Sequence, residues 1–74
     1  MIAIDMEQTG KNIENFMEKN NMTPRDMQSA FGFGTVNTIY TWIRGKKIPN
    51  IDNMVQIADM FGIKIDDIIA VKQI

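Results

Sequence analysis

The chain has 74 residues, of which 45% are hydrophobic and 23% charged, and its net charge is −1. That length holds one hydrophobic core, and the composition is that of a folded domain and not of a disordered segment. It contains no His and no Cys, which removes the common ligands of zinc, haem and iron–sulfur centres, the His base, the Cys nucleophile and any disulfide.

Ser29 is the single serine, and no neighbour could activate it. A binding protein is therefore expected, with no enzymatic activity, no metal and no cofactor. The longest apolar runs, Met1 to Ile4 and Ile68 to Val71, fall far short of the roughly 20 residues of a membrane helix. With no charged leader followed by an apolar stretch, a cytoplasmic protein without membrane attachment is the expectation.

Met6, Gly10, Ile13 and Met17 recur at helical spacing, with Phe16 beside them, and predict a first amphipathic helix. Asp5 and Gln8 suit a capping box at its start, and Asn20-Asn21 stops it. Just before it, Ile2, Ile4 and Met6 alternate with Ala3 and Asp5, the one convincing two-residue period and the one candidate for a short strand. Thr23-Pro24 opens a second helix: Thr caps an orphan N–H, and Pro gives up a donor that had no partner there. Met27, Ala30 and Phe31 form its apolar side, and Gly32 closes it.

Thr35 is a candidate cap for a third helix reaching about Arg44, with Val36, Ile39, Trp42 and Ile43 at its apolar positions. Gly45 ends it, and Lys46-Lys47-Ile48-Pro49 is a basic loop that Pro49 keeps out of helix. Asn50 caps a fourth helix carrying Ile51, Met54, Val55, Ala58 and Phe61, closed by Gly62. A fifth is expected from about Ile65 to Val71, with Ile65, Ile68 and Ile69 inward. The expected fold is a compact all-α domain of five helices over residues 1–74, its core within 6–71. The seven Met residues read as adaptable core filler, with Met1 simply the start, Trp42 as the central core aromatic, and Asp66-Asp67 as helix-start acids and not a metal site.

Charge is unevenly placed. Residues 1–22 carry Lys11 and Lys19 against Asp5, Glu7, Glu14 and Glu18, a net of −2. Residues 23–50 carry Arg25, Arg44, Lys46 and Lys47 against Asp26 alone, a net of +3. Residues 51–74 return to −2, with Lys64 and Lys72 against Asp52, Asp59, Asp66 and Asp67. A positive island between acidic flanks attracts phosphate locally even though the total charge is slightly negative.

Two short helices joined by a glycine turn are the parts of a helix-turn-helix. The ordered set Gly10-Lys11-Asn12-Ile13, Met22-Thr23, Met27, Phe31-Gly32-Phe33, Thr38 through Pro49, Ile51-Asp52-Asn53, Ala58 through Gly62 and Asp66-Asp67-Ile68 resembles the phage-repressor-like helix-turn-helix family, often called Xre or Cro. The chain departs from that pattern in three places. Pro24 stands where a DNA-contacting Gln is common, the turn before Trp42 is one residue longer, and Ile43 replaces a frequent acid.

The resemblance implies a five-helix lambda-repressor-like fold, with helices two and three as the DNA-binding unit. It implies sequence-specific binding of double-stranded DNA by a small regulator, most often a repressor, as a homodimer on inverted half-sites. With Ile39, Trp42 and Ile43 turned inward, the third helix presents Val36, Asn37, Thr38, Tyr40 and Thr41, none of them charged. Amide, hydroxyl and methyl groups suit base edges, so Val36, Asn37, Thr38 and Thr41 are the expected base readers. Thr23, Arg25, Thr35, Tyr40, Arg44, Lys46 and Lys47 are expected on the DNA backbone. Two other readings fit the same fold: an antitoxin that represses its own operon, and a protein-interaction adaptor. For dimerisation the C-terminal helix and tail are expected to pair, with the Met1 to Ile4 run as the competing surface.

Overall fold

A computed structural model describes residues 1–74. Along the chain lie β1 (Ile2–Ile4), α1 (Met6–Lys19), α2 (Pro24–Phe31), α3 (Asn37–Ile43), α4 (Ile51–Phe61), α5 (Ile65–Ile68) and β2 (Val71–Gln73). The helix boundaries follow the local chemistry. Asp5 Oδ1 accepts the Gln8 N–H at 3.0 Å to start α1, but the Gln8 side chain turns away to Asn12, so the capping box is not closed. At α2 the box is complete: Thr23 Oγ1 accepts from the Asp26 N–H, and Asp26 Oδ2 accepts from the Thr23 N–H at 2.9 Å. Asn50 caps α4 through the Asn53 N–H at 2.8 Å, and Gly32 and Gly62 end α2 and α4 in the left-handed conformation.

One core unites the helices: Ile13, Met17, Met27, Ile39, Trp42, Met54, Ile57, Ala58 and Ile68. Met17, Met27 and Met54 are buried among them as gap fillers and Met22 and Met60 are partly buried, whereas Met6, expected to face inward, is exposed. Beside Trp42, Phe31 and Phe33 stack at 5.3 Å and both meet the indole edge-on, at 5.5 and 5.7 Å. Phe33, read as a turn residue, thus ties the turn to the core, and Gln28 reinforces it by donating Nε2 to the Phe33 carbonyl at 3.1 Å.

α3 is seated on α1 through glycine. A Cβ on Gly10 would collide with the carbonyl oxygens of Trp42 and Ile43, the latter 2.6 Å away. Opposite, Gly45 (φ +72°) lies where a Cβ would come within 2.7 Å of the Glu7 Cα. Two residues without side chains let the end of α3 press against the α1 backbone.

Three further expectations need correction. The last helix stops at Ile68, and Val71–Gln73 turns extended to pair antiparallel with β1, Ala3 opposite Lys72. Asp5 N–H to Ala70 O (2.8 Å), Ile74 N–H to Met1 O (3.0 Å) and Ala70 N–H to Thr9 Oγ1 (3.0 Å) hold the segment extended. A helical continuation would forfeit that ladder. The mostly helical fold thus carries a two-stranded ribbon, and the alternation at Ile2 and Ile4 does mark a strand. On α4, Ile51 (69% exposed) and Val55 (51%) face outward while Ile57 is fully buried, so the packed stripe is rotated from the one expected. Finally, α3 begins two residues after Thr35, with Val36 at the cap position and no side-chain cap bond there.

Candidate nucleic-acid interface

The expected residues fall in three groups, of which Asn37, Thr38, Thr41 and Lys47 share one groove. The first is the outer face of α3. Asn37 is exposed, Val36, Thr38 and Thr41 are half-buried, and Ile39 and Trp42 behind them are buried. Thr35 Oγ1 accepts the Asn37 N–H at 3.2 Å, doing a cap's work one residue early. Thr41 donates its hydroxyl proton to the Asn37 carbonyl at 2.8 Å. Its outward chemistry is thereby reduced to an acceptor lone pair and a methyl group.

The second group is the basic rim. The Arg44 guanidinium lies 5.4 Å from the centre of the Tyr40 ring, so each fixes the other at the exposed edge of α3. Lys46 and Lys47 are exposed, whereas Ile48 is half-buried and Pro49 buried. The loop is anchored by its apolar half and presents its charged half. None of these cations is in a salt bridge. The ion pair present, Lys11 to Glu7 at 3.7 Å, is an exposed pair along α1.

The third group is the start of α2, where Arg25 is exposed. The Thr23 backbone N–H and hydroxyl oxygen are both already engaged by Asp26. The Thr23 backbone N–H holds the Asp26 carboxyl below the usual carboxylate range, its hydroxyl adding to the effect. A carboxylate thus sits at this helix start, leaving Arg25 as the group there suited to a phosphate.

Between α3 and the start of α4 runs an open groove of about 440 Å³. Asn37, Thr38 and Thr41 line one wall, Lys47, Asn50 and Asn53 the other, over a floor of Phe33, Trp42 and Ile48. Sequence reasoning assigned Asn50 only a capping role and gave Asn53 none. No local signal marks them, because Lys47 and Asn50 precede α4 and the groove forms only where α4 meets α3.

A family model described as a Cro/C1-type HTH DNA-binding domain matches residues 12–73. The chain belongs to that family. No curated protein and no solved structure matches it. As a Cro/C1-type domain it binds DNA through its helix-turn-helix, the unit formed by α2 and α3, and serves as a small regulator. The family is one of non-enzymatic regulators, and no helix here is long and apolar enough to cross a membrane.

Proposed function

We propose that this Cro/C1-type domain is a sequence-specific repressor, acting in the cytoplasm as a homodimer on inverted half-sites. The observation that carries the reading is an uncharged amide-and-hydroxyl face on α3 bordered by unpaired cations, the division of labour between base readout and phosphate positioning. Val36, Asn37, Thr38 and Thr41 read bases. The Asn37 amide suits the paired donor and acceptor of an adenine edge. Thr41, its proton spent on Asn37, accepts from an exocyclic amine or packs its methyl on thymine. Arg25, Tyr40, Arg44, Lys46 and Lys47 hold the backbone, with Thr23 and Thr35 shaping the two helix starts.

A single domain of this size makes a contact of about 1,000 Å² or less, so paired half-sites supply the affinity that one lacks. Selection of bound duplexes from a random pool tests the reading. It should enrich a palindrome whose half-sites are centred roughly 34 Å apart, one helical turn. A pool that stays random through selection refutes sequence-specific binding and favours a protein-interaction adaptor.

A further inference from the structure

The ribbon unites the two segments that competed, by sequence, for the dimer surface. Its register tells them apart. Met1 and Asp5 bond inward, to Ile74 and Ala70, so the alternation of an antiparallel ladder makes Ala3–Lys72 a hydrogen-bonded pair as well. The N–H and C=O groups of Ile2 and Ile4 then point to the free edge of β1, and those of Val71 and Gln73 to the free edge of β2. Side chains of cross-strand partners share a face, which places Ile2, Ile4 and Val71 together, all exposed, with Ile2 at 64% and Val71 at 59%.

We propose that β1 pairs antiparallel with β1 of a second copy about a two-fold axis at Ala3, closing a four-stranded sheet. The surface deepens the homodimer reading above and rests on it. Three observations select this occupant and this edge. A two-stranded ribbon is marginal in water unless it packs on a helix or gains strands with an apolar face; this one is tied to α1 through Thr9, but its face of Ile2, Ile4 and Val71 is uncovered. In the β1 register, Ile2 meets Ile4 of the second copy and Ile4 meets its Ile2, so all four outward backbone groups on each β1 find partners. The apolar trio becomes a six-residue stripe.

Charge decides between the edges. Pairing through β2 about Lys72 would set that ammonium directly opposite its own copy, about 5 Å between Cβ atoms, which is destabilising. Pairing through β1 puts Ala3 opposite Ala3 and separates the two lysines by three strand spacings, about 14 Å, beyond the roughly 10 Å screening length at 0.1 M salt. A mixed β1-to-β2 contact is head-to-tail and does not close. The paired strands are only three residues long, so the interface is smaller than the roughly 1,600 Å² of a standard one. Association is therefore weak in free solution and is completed where two half-sites hold the domains side by side.

The absence of cysteine makes the test direct. In the proposed sheet Ala3 faces Ala3 as a non-hydrogen-bonded pair, with Cα atoms about 4.5 Å apart, within the span a disulfide needs. Full-length Ala3→Cys, Lys72→Cys and Ser29→Cys are oxidised at equal concentration and followed on non-reducing gels, Ser29 being an exposed α2 position. Ala3→Cys should cross-link at least about tenfold faster than either control. Adding Ile2→Pro, which removes an N–H that bonds nothing inside the chain, should return Ala3→Cys to the control rate with the helical circular dichroism unchanged.

Equal rates for Ala3→Cys and Ser29→Cys, faster linkage of Lys72→Cys, or indifference to Ile2→Pro would each overturn the assignment. Sedimentation of the native chain and of Ile2→Pro, each free and on the selected duplex, separates the two levels. A dimer that survives Ile2→Pro removes this edge but keeps the homodimer, whereas a chain that stays monomeric on its selected duplex removes both.

Discussion

Replacing Gly10 by Ala tests whether the backbone contact between α1 and α3 positions the reading helix. Ala is the better helix former, by about 1 kcal/mol in a helix interior. Against that gain stands a methyl group driven into the carbonyl oxygens of Trp42 and Ile43 and to 3.0 Å from the Gly45 nitrogen. All three are main-chain atoms, so no side chain can rotate away, and the cost belongs at the upper end of overpacking, about 3 kcal/mol. The net loss is about 2 kcal/mol. For a domain of this size that lowers the thermal midpoint by roughly 8–16 °C.

Melts followed by far-ultraviolet circular dichroism measure the loss. Gly34→Ala is the matched control, because its Cβ would meet nothing within 4 Å and its φ lies outside the left-handed region. That change should be neutral or stabilising by about 0.4–1 kcal/mol. DNA affinity of Gly10→Ala, measured well below its midpoint, should also fall, since α3 must move off α1. A Gly10→Ala protein that melts at or above the parent temperature would refute the reasoning.

Three further outcomes are expected. Asn37→Ala should weaken binding to the selected duplex by about 1–3 kcal/mol and relax preference at its contacted base pair; equal loss on random duplex, in titrations of both, would reduce Asn37 to a positioning contact. Replacing both Lys46 and Lys47 by Ala should lower the slope of log affinity against log salt by about two, and an unchanged slope would turn the loop away from DNA. Because the folded state holds the Asp26 carboxyl below its ordinary value of 3.8, its contribution to stability is present above that value and is lost as pH falls through the lower folded value. Urea midpoints measured from pH 5 to pH 2 should therefore drop less steeply for Asp26→Asn than for the parent; parallel curves would mean the Thr23–Asp26 box does not favour the carboxylate.

Most helix starts and stops were legible because single residues enforce them. Thr23-Pro24, Gly32, Asn50 and Gly62 act within one turn, and the structure uses each as read. What depends on distant residues was not legible. Ile68 through Val71 is an apolar run of a length that suits helix or strand equally, and only pairing with Ile2–Ile4, about 70 positions away, decides for strand. The same holds for α4, where Ile51 and Val55 keep helical spacing with each other as well as Met54 and Ala58 do. Which stripe packs is set by the helices it meets, not by its own order. At the site, the α3 face could be read because Trp42 and Ile39 mark its inner side. Asn50 and Asn53 escaped, since the groove they line exists only once α4 is laid beside α3.

The ribbon joins residues from opposite ends of the 74-residue sequence, whereas α2 meets α3 across a turn of a few residues. Loop-closure entropy makes the longer connection costlier by roughly 2 kcal/mol. On a ribosome, α1, α2 and α3 emerge and can settle on one another while residues 71–73 are still inside the exit tunnel. Once the chain is whole, the strands remain the cheapest part to open, and their amides should exchange with solvent well before those behind Trp42. A nascent or clipped chain lacking Val71–Gln73 would then hold a formed helix-turn-helix beside an unformed ribbon, and under the proposed β1 pairing it would lack the ordered edge that a second copy needs.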